Sequence, residues 1–273
     1  MKPAPLHYTR VGSLDHALEL LANASEETRI IAGGQSLGPL LNLRLASPRK
    51  LIDISQVEEL RRAAVEGPDL IVGPCVTHAE IEDGEVPDVT RGLMAQVARG
   101  IAYRPVRNRG TLGGSLAHAD PAADWVTAMM ALGAGIRLRG GRKQRTLRVD
   151  EFIRGPLSTA IEPDEIIVAV CIPELSATAR WGHAKFARKP GDFAESMTLV
   201  VIDRDRDFFN AVLARRAEPP TILRQTAAGL ATGPSDDAID AAIADDLATL
   251  EIADEDLGLH RAIIRRAVHG AAR

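Results

Sequence analysis

Apolar residues recur along the chain at two periods, and the alternation between them divides it into elements. Leu14, Ala17, Leu18 and Leu21 fall at i, i+3, i+4 and i+7, which predicts an amphipathic helix over 13–22 with Ser13 as its N-cap. Residues 29–32 form a short apolar run ending at Gly33-Gly34, and residues 50–54 form another; both predict strands. Between them leucines stand at 37, 40, 41, 43 and 45, and this run ends at Pro48. Helix, strand, glycine loop and strand in that order make an α/β unit. Further on, 69–73 predicts a strand, and 77–81 and 90–101 predict helices. Trp125, Met129 and Leu132 give 121–132 one apolar helical face, with Asp120 as N-cap and Pro121 at the first helical position. Two runs, 135–139 and 145–149, flank Gly140-Gly141 and predict a hairpin; 166–172 predicts a strand that Pro173 ends.

Composition then shifts through 174–179, which reads as a linker. Beyond it come three strand-like runs, 182–188, 197–203 and 208–215, the last two joined by the charged turn 204–207. Helical patterns follow at about 223–231, 236–250 and 256–271. The expectation is two domains, 1–175 and 176–273, the second a small α+β unit of three antiparallel strands and helices.

Composition narrows the function by exclusion. With 273 residues, 45% of them hydrophobic, and a formal charge of −4, the chain buries a sizeable core and offers no general attraction to nucleic acid or membrane. There is no run of 18 apolar residues, and the start Met-Lys-Pro-Ala-Pro lacks the apolar stretch of a signal peptide, so a cytoplasmic location is expected. Two cysteines, Cys75 and Cys171, are too few for an all-cysteine iron–sulfur cluster or a structural zinc site on this chain alone. The seven histidines are dispersed, so no metal site is expected. No Gly-x-Ser-x-Gly elbow or activated cysteine supplies a nucleophile, hence no catalytic residue is expected; a bound cofactor would carry the chemistry instead.

Two glycine pairs carry the candidate chemistry. Gly33-Gly34 is followed by Gln35 and Ser36, and Gly113-Gly114 by Ser115, each pair after an apolar segment. Backbone N–H groups in such loops bind anions without a basic side chain, and two loops suit a pyrophosphate, with Gly113 and Gly114 taking positive φ. The spacing is neither that of the Rossmann nor of the P-loop motif. Asp120 is open to two readings, helix cap or ligand contact. So is Asp124, as a solvated or salt-bridged first-turn carboxylate or as an acceptor for ribose or ribityl hydroxyls. His118 is a candidate by its place inside the cradle. Arg107 and Arg109 beside Asn108 read as a solvated or salt-bridged loop that only the neighbouring cradle makes interesting.

The run Ala32-Gly-Gly-Gln-Ser-Leu37 with Leu43-Arg44, and Val106-Arg-Asn-Arg-Gly-Thr-Leu-Gly-Gly-Ser-Leu-Ala-His-Ala-Asp-Pro-Ala-Ala-Asp124, strongly resembles the FAD-binding medium subunit of the molybdenum hydroxylases, the carbon monoxide and xanthine dehydrogenase type. Lys185-Phe-Ala-Arg188 and Asp192-Phe-Ala194 extend the resemblance over nearly the whole chain. It implies the two-subdomain α+β flavin fold of the vanillyl-alcohol-oxidase type, with subdomains of about 1–56 and 57–175. FAD would lie between them. Ala32, Gly33, Gly34, Gln35, Ser36 and Leu37 on one side, and Thr111, Gly113, Gly114 and Ser115 on the other, would hold its pyrophosphate; Asp124 would meet its hydroxyls, Lys185 would lie near the isoalloxazine, and His118 and Asp120 would complete the site. An aromatic from 181–193 would stand near the flavin: Trp181, Phe186 or Phe193. Gln35 occupies a place where other members of the wider fold carry histidine, so covalent attachment is not expected there. The resemblance further implies a heterotrimer with a large molybdopterin subunit and a small [2Fe–2S] subunit, a dimer of such heterotrimers, and electrons leaving through this FAD to an external acceptor. The alternative is a self-sufficient flavin oxidase acting on a small organic substrate. The short, aromatic-poor C-terminal part is too small to roof a substrate pocket, which disfavours it.

Overall fold

The computed structural model describes residues 2–23, 27–233 and 235–272, and mixes helices with four sheets. β1 (His7–Arg10), α1 (Leu14–Ala22), β2 (Thr28–Ile31), α2 (Leu37–Asn42) and β3 (Lys50–Asp53) come first; their strands form a parallel sheet in the order β1-β3-β2. Ser13 caps α1 by accepting the His16 N–H, and Leu14, Ala17, Leu18 and Leu21 are the buried face, as their spacing predicts. β4 (Ala63–Glu66) and β5 (Asp69–Val72) follow, then helices α3 (His78–Glu82), α4 (Leu93–Arg99), α5 (Arg104–Arg107), α6 (Leu112–His118) and α7 (Asp124–Ala131). The predicted hairpin is β6 (Gly135–Gly140) and β7 (Lys143–Arg148), followed by α8 (Val149–Phe152), the short pair β8 (Ile153–Gly155) and β9 (Ser158–Thr159), and β10 (Glu165–Pro173). An antiparallel sheet of order β4-β5-β10-β6-β7 results. β10 runs through its middle and is buried along most of its length, which is why its sequence is apolar without alternation.

Every residue of α7 is buried, so this helix is the centre of the molecule. A helix apolar all round needs cover on every side. Here α4, α6 and α8 supply part of it, and the C-terminal sheet covers another side. That sheet is β11 (Arg180–Phe186), β12 (Ser196–Asp203), β13 (Phe208–Arg215) and β14 (Glu218–Ile222), packed on its far side by α11 (Asp254–Ala272), with α9 (Arg224–Thr232) and α10 (Asp236–Ala248) alongside. Leu199, Val201 and Val212 join Trp125, Met129 and Leu132 in one core, and Asn210 caps the end of α7 by donating to the carbonyls of Met130 and Ala131. Residues 174–179, read as a linker, contribute buried Leu175 and Ala179 to that same core.

The C-terminal sheet has four strands rather than the three expected. β14 contains Pro219 and Pro220, which argue against a strand, but it sits at the sheet's edge, where missing N–H groups are tolerated. β1 and β4 were also outside the pattern. Both are short edge strands whose residues are exposed or only partly buried, so they carry no apolar alternation.

Gly182 on β11 shows how closely α11 approaches: a Cβ there would overlap the carbonyl oxygen of Ala267. Gly182→Ala should therefore destabilise the fold by roughly 1–3 kcal/mol, the usual cost of overpacking, measured as a shift of the urea midpoint. An unchanged midpoint would contradict the contact.

Candidate functional site

A cavity of about 1260 Å³ opens along the β2–α2 loop and the start of α6, and it is larger than a typical small-molecule pocket. Ala32, Gly33, Gly34, Gln35, Ser36, Leu37, Thr111, Gly113, Gly114, Ser115, His118, Asp120 and Asp124 all line it. The two segments meet backbone to backbone. A Cβ on Gly33 would overlap the Arg109 carbonyl oxygen and come within 2.9 Å of the Gly110 Cα, so no other residue fits at that crossing. Gly34 has φ +71°, the left-handed conformation that favours glycine.

Gly113 and Gly114 have a different reason to be glycine. They do not form a bare turn with positive φ; they are the first turn of α6, which Thr111 caps by accepting the Gly114 N–H at 3.0 Å. A Cβ on Gly113 would overlap Pro74, and one on Gly114 would lie 2.7 Å from Thr111 Oγ1. The amides of this turn are also spent. Leu112 donates to Val76 and Gly113 to Pro74, so this turn has no amide left for a ligand. Among the described residues the N–H groups of Gly33, Gly34, Gln35 and Ser36 meet no protein acceptor. Thr111, Gly114, Ser115 and His118 instead present one face of α6, spaced by helical turns, to the cavity.

Asp120 does not cap a helix running from Pro121 to Leu132. α6 ends at Ala119 in the left-handed region (φ +53°), Asp120 closes a turn by accepting the Ala122 N–H at 2.9 Å, and α7 begins only at Asp124 after Ala123. The helix expected from Pro121 thus begins only at Asp124, and residues 112–118 before the break form a separate helix that the pattern did not show.

Asp124 and Lys185 are brought together. The Nζ of Lys185 lies 2.9 and 3.0 Å from the two carboxylate oxygens of Asp124, and both side chains are largely buried. Burial pushes the Asp124 carboxyl pKa up, while the adjacent ammonium pulls it the other way. Asp124 reaches the cavity wall, and Lys185 stands behind it rather than in the lining.

Pattern reading missed several lining groups. His78 is buried beneath Gly110, and its Nδ1 accepts from the indole N–H of Trp125 at 3.0 Å; indole only donates, so the imidazole proton sits on Nε2. Burial, with a smaller contribution from the Arg107 charge, pushes the His78 pKa down to about 4. Arg29 and the loop 161–165 close the cavity's other wall. Arg145 grips that loop, donating at 2.7 Å to both carboxylate oxygens of Glu165 and to the Ala160 carbonyl. Of the three aromatic candidates only Phe193 lines the cavity. Trp181 donates its N–H to the Arg91 carbonyl, and Phe186 is not part of the lining. Arg107 turns away from the cradle and pairs with Glu82. Among the described residues no group of three or more histidines, cysteines or carboxylates is placed to hold a metal, and no helix is long and apolar enough to cross a membrane. Both cysteines are free and buried, and burial pushes the Cys75 thiol up to about 12.

Two expectations follow. His78 and His183, whose pKa burial also lowers to about 4, refuse protons that the unfolded chain accepts near pH 6.5. Their contribution to stability is complete above that pH and is lost as pH falls towards 4, by roughly 1–3 kcal/mol each. Urea midpoints at pH 7.5 and 4.5 should show the loss, with a shallower slope in His78→Gln; equal midpoints in the native chain would contradict it. Lys185→Met leaves the Asp124 carboxylate buried alone and should cost about 3 kcal/mol, whereas adding Asp124→Asn should recover much of that loss. Simple additivity in the double variant would show the pair to be uncoupled.

Residues 4–175 match the family model described as the FAD binding domain in molybdopterin dehydrogenase. The nicotine 6-hydroxylase medium subunit of Paenarthrobacter nicotinovorans is 40% identical over 202 residues, 74% of this chain and 70% of that protein. The caffeine dehydrogenase subunit beta of a Pseudomonas species is 36% identical over 224 residues, 81% of this chain and 76% of that one. Among solved structures, a carbon monoxide dehydrogenase from Hydrogenophaga pseudoflava superposes with a TM-score of 0.93 at 30% identity, covering 100% of this chain and 99% of the matched one.

Proposed function

The chain belongs to the FAD-binding medium subunits of the molybdenum hydroxylases, and from that membership we propose that it is the electron exit of such a complex, passing electrons from [2Fe–2S] clusters on a small subunit to an external acceptor. The large subunit would carry the molybdopterin and select the substrate. Relatives named for nicotine, caffeine and carbon monoxide fit this division, since molecules so unlike share no binding chemistry and the common work left to the medium subunit is holding the flavin.

The observation that carries the reading is the cavity itself. Its size suits a dinucleotide, and Gly33 to Ser36, whose amides meet no protein acceptor, line it and offer donors for a pyrophosphate. On this reading the three-stranded unit of about 1–56 and the five-stranded unit of 57–175 are the two subdomains of a vanillyl-alcohol-oxidase-type fold, and 176–273 is the C-terminal domain that contributes Lys185 and Phe193. Thr111, Ser115 and His118 offer hydroxyl and imidazole groups to phosphate oxygens, while Gly114 leaves room for them. Asp124, held in place by Lys185, is placed to accept from a sugar hydroxyl. FAD supplies a carrier able to take electrons singly and release them in pairs, and the protein's part is to bind, orient and shield it. We also propose assembly as a heterotrimer.

The direct test is reconstitution with FAD. Gly114→Val adds a branched side chain to the helix face shared by Ser115 and His118 and disturbs the Thr111 cap, so FAD affinity should fall about tenfold or more, equivalent to at least 1.4 kcal/mol. Fluorescence titration of the FAD-free protein measures it. Unchanged affinity in a folded variant would contradict the placement.

A further inference from the structure

Phe193 stands on the cavity wall yet is 63% exposed and belongs to no core cluster, so packing does not hold it. Its position is fixed through the backbone. The turn 189–192 is closed by the Asp192 N–H donating to Lys189, and the Gly191 carbonyl accepts the Ala102 N–H at 3.1 Å. Gly191 has φ +84°, and a Cβ there would lie 2.7 Å from the Ala102 carbonyl oxygen, so the two backbones are in contact. Ala102, which also lines the cavity, has φ +42°, a conformation that alanine avoids unless its surroundings impose it.

Arg107 imposes it. One terminal nitrogen donates to the carbonyls of Ile101 and Ala102 at 2.9 and 3.0 Å, while Nε and the other terminal nitrogen grip Glu82 at 2.7 and 3.2 Å. Both side chains are 12% exposed, which keeps solvent from competing. A guanidinium holds a carboxylate and two carbonyls at once because its donors are fixed in a fork; an ammonium matches the charge but not that geometry.

We propose that Arg107 is a positioning residue for the flavin site: through Ile101, Ala102 and Gly191 it fixes Phe193 at the cavity and so sets how far solvent reaches the bound flavin. This rests on the FAD reading above. The link runs from a carboxylate on α3 to an aromatic in the C-terminal part, and none of its members between Arg107 and Phe193 needs a side-chain contact with the next. It acts by backbone, so substitutions far from the flavin should act as if they removed Phe193.

The test compares Arg107→Lys, Gly191→Ala and Phe193→Ala. In the FAD-free chain, Arg107→Lys should speed amide deuterium exchange across 189–194 by about tenfold, the factor expected for losing roughly one hydrogen bond. In the FAD-loaded protein, iodide should quench the flavin fluorescence more steeply in Arg107→Lys and Gly191→Ala, to the level of Phe193→Ala, and the double variant Arg107→Lys with Phe193→Ala should be no worse than Phe193→Ala alone. Gly191→Ala keeps the question open to decision if Arg107→Lys does not fold. Unchanged exchange, or quenching effects that add, would overturn the proposal. Faster exchange in a protein that binds no FAD would support the linkage and remove the flavin reading instead.

Discussion

The crossing of the Gly33 loop over Arg109 and Gly110 is the constraint on which the rest depends. Two backbones touch there with no room for a side chain, and each is anchored from behind. β2 and β3 hold the first loop, and the pairing of 74–78 with 110–113 holds the second. Because neither segment can withdraw independently, the cavity between them has a fixed shape before any ligand enters. That pre-organisation matters for affinity, since a loop ordered in advance loses less entropy on binding.

The same economy of space organises the centre. α7 is covered on all sides, its N-terminal Asp124 tied to Lys185 and its C-terminal carbonyls tied to Asn210, both from the C-terminal sheet. One helix thereby registers the C-terminal part against the cavity. An ion pair so buried costs desolvation energy and is weak evidence for stability by itself, but it fixes a carboxylate on the cavity wall in a single orientation. The glycine crossing sets the cavity's width and α7 sets what stands at its far wall.

Much of this was legible in the sequence, and the exceptions share causes. Elements with their own apolar period, α1, the β6–β7 hairpin, strands β11 to β13 and the three C-terminal helices, lie close to where periodicity puts them. β1, β4 and β14 were not legible because an edge strand borrows its stability from a partner and need show no alternation of its own. The glycine pairs, read as a candidate site, line one cavity, but of the four only Gly34 uses positive φ. Gly33, Gly113 and Gly114 are required by neighbours that no local pattern reveals, respectively Arg109, Pro74 and Thr111. Asp120 looked like a helix cap because Asp-Pro often is one, while the break after Ala119 has no marker. His78 and Arg145 were invisible because their partners, Trp125 and Glu165, are brought near only by the fold.

If substrate is chosen on a partner subunit, as proposed, what this chain recognises is the dinucleotide as a whole. Comparing the affinities of FAD and riboflavin for the FAD-free protein by fluorescence titration tests that claim most directly. If the free amides of Gly33 to Ser36 receive the pyrophosphate and the remaining cavity receives the adenosine, FAD should bind at least about a hundredfold more tightly, a difference of about 2.8 kcal/mol. Equal affinities would mean that the Gly33–Ser36 loop does not hold a diphosphate, and would contradict that reading.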